Sequence, residues 1–219
     1  MKNSKRLPYR LKLFFSLCFL LMAFIYNISA QNYPVIKVET LKNFTANDSV
    51  RLNKELKLLQ EQILNNSQFW EDVKNADYGC RNRRIYQNSR SRNCEFPKLD
   101  KDLNSYSNIE IHDLLFYGQD EIGQERDGMI NLRLNLFEKD RAGNGNIIHG
   151  RTSSCNLTIS SSRKTRLFAS EGSYAKHILH EYMHILGFKH KSNKRKRNTR
   201  KCKGDDVSWA IQEIASKYL

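Results

Sequence analysis

His-Glu-Tyr-Met-His-Ile-Leu-Gly-Phe-Lys-His, residues 180–190, is the stretch from which the rest of this chain is read. His180 and His184 stand four residues apart, so on a helix they lie one above the other on the same face. Two imidazoles placed this way share one Zn²⁺ at about 2.0–2.1 Å each. Gly187 follows three residues after His184, where the helix must stop and turn sharply if His190 is to swing back as the third metal ligand. Glycine takes the left-handed backbone that such a turn needs without steric penalty. Three protein ligands leave a fourth position open, the mark of a catalytic rather than a structural zinc. Glu181, beside the ligand face, is then the general base: it takes a proton from a water whose pKa the metal lowers towards about 7. Peptide hydrolysis without a covalent intermediate is the natural reaction.

These five positions, His180, Glu181, His184, Gly187 and His190, resemble the metzincin clan of zinc endopeptidases, whose signature is His-Glu-x-x-His-x-x-Gly-x-x-His. More loosely, the chain from about residue 40 looks like small secreted matrixin-type bacterial peptidases, through residues 107–118, 127–137 and the helix into the motif. The resemblance implies an α+β zincin fold: a small twisted mixed sheet, an active-site helix over about residues 173–186 and a short C-terminal subdomain. It also implies one catalytic Zn²⁺ and a protein or peptide substrate that adds itself as a strand to a sheet edge, for which residues 157–160 are the candidate.

Two features depart from the clan. Its methionine turn below the metal is missing, because the methionines are Met1, Met22, Met129 and Met183. The site floor must come from elsewhere, and Val207 and Trp209, which open the last apolar segment, are the candidates. No propeptide of cysteine-switch type is recognisable either; Tyr78-Gly79-Cys80-Arg81 is only superficially like one.

The N-terminus sets Lys2, Lys5, Arg6, Arg10 and Lys12 before an apolar run over residues 13–26 and a short polar stretch ending at Ala30, the layout of a secretory signal peptide. The run is shorter than the roughly 20 apolar residues of a membrane span, so no stable span is expected after cleavage. Residues 31–219 then form a single catalytic domain, secreted, periplasmic or extracellular, and a monomer. Cleavage lowers the net charge from +14 to about +9, still basic enough to attract polyanions. Cys80, Cys94, Cys155 and Cys202 remain, and an even number in an exported chain favours two disulfides. Three pairings are possible; the short loop between Cys80 and Cys94 makes the simplest first bridge, with Cys155 and Cys202 as the second. No Cys-x-x-Cys spacing supports a metal site in their place.

Leu52, Leu56, Leu59 and Ile63 predict an amphipathic helix over residues 50–64, capped by Asp48 or Ser49. Phe69, Trp70 and Val73 continue that packing in a second short helical piece. Residues 78–98, rich in Arg, Asn and Ser, read as a loop. Ser107 and Glu110 form a capping box for a short helix that ends at Gly118. Ile130, Leu132, Leu134 and Leu136 alternate with polar residues, the clearest strand; residues 147–152 and 157–160 are weaker strands. Asp206 fits as the N-cap of a final helix over 207–218, a simpler role than a calcium site with Asp205.

His177 lies one turn before the ligands and suits a supporting or core role, and His112 and His149 lack partners at metal spacing. Between residues 189 and 203 stand nine basic residues. They form either a solvated loop or a rim for polyanions; without aromatic interleaving, sequence-specific nucleic-acid binding is not expected. The alternative to the endopeptidase is therefore a catalytically weak metzincin scaffold that binds polyanions through this loop. Asn43, Asn47, Asn65 and Asn156 each open an Asn-x-Ser/Thr triplet, relevant only where the host glycosylates exported proteins.

Overall fold

The computed structural model describes residues 33–78, 106–118, 126–138, 150–153, 157–163, 170–188 and 206–219, all within the unit Tyr33–Leu219. The signal-peptide reading of 1–30, the four cysteines, most of the loop over 78–98, His149, His190, Asp205 and the basic run 189–203 lie outside the described residues.

Four strands form one mixed sheet: β1 (Val35–Lys42), β2 (Met129–Phe137), β3 (Gly150–Ser153) and β4 (Thr158–Ser162), in the order β1-β2-β4-β3. The first three in that order run parallel, and β3 is antiparallel to β4. Among the described residues five α-helices accompany the sheet: α1 (Ala46–Leu58), α2 (Ser67–Asn75), α3 (Asn108–Phe116), α4 (Ser173–Ile185) and α5 (Val207–Ala215). No helix among the described residues is long and apolar enough to cross a membrane.

The helix expected over 50–64 is present, but it starts earlier and changes form. Thr45 is its N-cap, and Thr45 and Asp48 make a reciprocal capping box, so Asp48 serves as the third helical residue rather than the cap. From Leu59 to Leu64 the coil widens into a π-helix, which keeps Leu59, Ile63 and Leu64 all fully buried. Gln60 on this segment uses its amide as a strand would: Nε2 donates to the Pro34 carbonyl and Oε1 accepts from Ile36 N–H, each at 3.0 Å. In this way it satisfies part of the outer edge of β1.

β1 itself was not foreseen from sequence. Its pattern is broken by a bulge at Glu39, where Val38 faces Leu132 and Thr40 faces Arg133. The Glu39 carboxylate accepts from Arg133 Nε at 2.6 Å across that bulge. β2 lies where the alternation of 130–136 puts it, yet Asn131 on its polar side is only 7% exposed. β4 pairs with β2 on one side and β3 on the other, so residues 157–160 are not the sheet edge; β3 is. The error is one of connectivity: a short antiparallel return lies outside the strand that follows it in sequence.

α2 and α3 pack together. Asn108 Nδ2 donates to the carbonyls of Lys74 and Ala76 at 2.7 and 2.8 Å, closing the end of α2. Trp70 packs edge-on to Phe116 and His112, and its indole N–H donates to the Leu64 carbonyl at 2.7 Å. His112, stacked on Phe116 and 2.9 Å from Asp113, is structural.

α4 runs through the centre of the core, with Tyr174, Ala175, Ile178, Leu179, Tyr182 and Met183 all at most 1% exposed. A helix buried on so many sides is held by its neighbours rather than by an amphipathic face: α1 and α5 and the strands β3 and β4.

Candidate active site

The start of α4 is built by another helix. Its N-cap, Gly172, is left-handed (φ +76°) and offers no side-chain cap. Glu55 of α1 supplies one instead: Oε1 accepts from Gly172 N–H at 3.0 Å, and Oε2 from Tyr174 and Ala175 N–H at 3.0 and 2.9 Å. Ser173 N–H donates to the Ser170 carbonyl at 3.2 Å, so the amides of the first turn are accounted for. Glu55 is 6% exposed, and its negative charge faces the positive end of the helix.

The other end of α4 carries the turn predicted at Gly187, which has φ +101°. Phe188 N–H donates to the Met183 carbonyl at 3.0 Å and Gly187 N–H to the His184 carbonyl at 3.1 Å, a Schellman closure with Phe188 and Met183 both buried. This turn brings the Phe188 carbonyl back onto the motif. Nδ1 of His184 lies 2.5 Å from that oxygen, so Nδ1 carries the proton and donates it. In a neutral ring Nε2 then keeps the lone pair, the arrangement that metal-ligating histidines use. Ser208 Oγ stands 3.4 Å from the same Nδ1.

The His180 ring lies 5.1 Å from that of His184, centre to centre, at 84°. On its other side it meets the Trp209 indole at 4.4 Å. Of the two floor candidates, Trp209 touches a motif histidine and is 45% exposed, a wall open to solvent, whereas Val207 is fully buried at the head of α5. Asp206 caps α5 as expected, accepting from Trp209 N–H at 3.1 Å; this cap fixes where the indole stands.

Glu181, 6% exposed, faces the sheet. Thr152 Oγ1 lies 2.6 Å from its Oε2 and 3.2 Å from its backbone carbonyl. His177 sits one turn before Glu181, stacked on Tyr174, with Nε2 3.0 Å from Ser161 Oγ. It is thus turned to β4 in a supporting position. Burial pushes the Tyr174 phenol up to about 12, so it is a neutral hydroxyl at physiological pH.

His180 and His184 thus stand ring beside ring, while the Glu181 carboxylate lies against Thr152 and Gly150 of β3. Among the described residues no group of three His, Cys, Asp or Glu side chains is arranged to hold a metal ion; His190, the expected third ligand, lies outside them. The two adjacent imidazoles are donors of the kind that zinc takes. Glu55, Gly150, Thr152, Ser161 and Ser208 were not singled out from sequence, and none carries a local signal, since each acts across a tertiary contact. No family model, curated protein or solved structure matches the chain.

Proposed function

We propose that this chain is a secreted zinc metallopeptidase of metzincin type, with His180, His184 and His190 as the metal ligands and Glu181 as the general base. The observation that carries the reading is the Phe188 carbonyl on Nδ1 of His184: a helix-ending turn at Gly187 orients a histidine whose neighbour on the same face is a second histidine. A structural core histidine has no need of a fixed tautomer with a neighbouring imidazole one turn away.

Zinc, when bound, supplies a Lewis acid that polarises the scissile carbonyl and makes water acidic enough to be deprotonated near neutral pH. Glu181 takes the proton of the attacking water and returns it to the departing amine. Its burial keeps bulk water from competing for that proton, and a carboxylate beside the ligands is what separates this reading from a polyanion-binding scaffold. Trp209, packed against the His180 ring, would stand in for the methionine turn that the clan has and this chain lacks.

The test is cleavage of a diverse peptide mixture by the zinc-loaded mature protein, read by mass spectrometry beside Glu181→Ala. Cleavage by the wild type and none by the variant is expected. Salt-dependent polyanion binding with no cleavage by either protein would overturn the peptidase in favour of the scaffold.

A further inference from the structure

The geometry points to Thr152, with the bare backbone of Gly150 beside it, as the device that positions the general base, an inference that rests on the metallopeptidase reading above. Both residues belong to the four-residue edge strand β3, and their separation of two puts them on one face of it. That face meets α4. The Thr152 hydroxyl donates to Glu181 Oε2 at 2.6 Å, with the Glu181 main-chain carbonyl as a second acceptor at 3.2 Å. The other carboxylate oxygen is placed by what residue 150 lacks. A Cβ there would stand 2.7 Å from Glu181 Oε1 and 2.5–2.6 Å from two ring atoms of His177, closer than real contacts permit. One oxygen is held by a hydroxyl, and the other occupies a space that a side chain at residue 150 would force it or His177 to leave.

His177 completes the seat from behind. It stands four residues before Glu181 on the same helix face, and Ser161 of β4 lies 3.0 Å from its Nε2. A glutamate has three rotatable bonds, and burial alone does not choose among its rotamers; a short hydrogen bond from a rigid strand does. Misplacement of a reacting group by about 1 Å can lower a rate about 10²-fold. Thr152 acts through Glu181 and is a positioning residue, not a catalytic one.

The experiment compares mature wild type, Thr152→Val and Thr152→Ser for kcat, KM and bound zinc. Thr152→Val should lower kcat by about ten- to a hundredfold, with KM and zinc content unchanged; Thr152→Ser, which restores the hydroxyl, should recover most of the loss. Gly150→Ala should lower kcat in the same way. Wild-type kcat in Thr152→Val, a loss confined to KM, or an equal loss in Thr152→Ser would overturn the proposal. A second readout needs no catalysis: in metal-free protein, Thr152→Val should lower Tm more in the wild-type background than in Glu181→Ala, where only the weaker bond to the main-chain carbonyl remains to be lost. Equal Tm losses in both backgrounds would overturn the contact itself. Intact coupling in a wild type that cleaves nothing would instead overturn the peptidase reading, and with it the role of Thr152 in placing a general base.

Discussion

Replacing Glu55 should unseat α4 from a distance. In Glu55→Gln the amide oxygen can take the place of Oε2 and keep the Tyr174 and Ala175 bonds, but the NH₂ group then meets Gly172 N–H donor to donor. One charge-assisted bond, worth about 1.5–3 kcal/mol, is lost, together with roughly 0.3–2 kcal/mol of charge–dipole attraction at the helix start. The sum is about 2–5 kcal/mol. For a domain of this size each kcal/mol moves Tm by about 2–4 °C, so a fall of roughly 4–20 °C is expected by thermal unfolding. Glu55→Ala, which strands all three amides in a buried place, should fall further. A Glu55→Gln variant melting within about 2 °C of wild type would refute the argument that this carboxylate seats α4.

Asp48 gives a pH signature. Burial pushes its carboxyl up, but hydrogen bonds from Thr45 and the Arg163 guanidinium outweigh that and hold it below its ordinary 3.8. A depressed native pKa contributes stability that is present above the unfolded value and lost as pH falls through the native one. Asp48→Asn should therefore melt a few degrees lower at neutral pH, about 1 kcal/mol for the cap, and the gap should close below about pH 4; a gap independent of pH would count against it. Gly187→Ala should strain the φ +101° turn and displace the Phe188 carbonyl from His184. Zinc affinity, measured against a chelating dye, should fall about 10–100-fold, and unchanged affinity would show that the carbonyl does not orient the ligand. Gly118→Ala should fail to yield folded protein or lose more than about 4 kcal/mol in chemical denaturation, because its Cβ would lie 1.7 Å from the Met129 carbonyl oxygen; near-native stability would sink this.

Sequence alone determined what is local. The helical spacing of His180 and His184, the Gly187 turn, the Ser107–Glu110 capping box, the Asp206 cap and the alternation of β2 all rest on interactions within about five residues, where periodicity and backbone preference decide. The boundary errors have the same cause in reverse: Thr45 rather than Asp48 caps α1, because the box needs its carboxylate at the third helical position. Tertiary structure decided what no window contains. β1 carries a bulge that breaks its alternation, and only pairing with β2, some ninety residues on, makes it a strand. β3 takes the edge outside β4 through the path of the chain. Glu55 reaches α4 across |i−j| of 117 to 120, and Thr152 reaches Glu181 across 29. The histidine spacing is a property of one helix and is written in its sequence; the seats of that helix and of its carboxylate are properties of packing, which exist only once distant segments have been brought together.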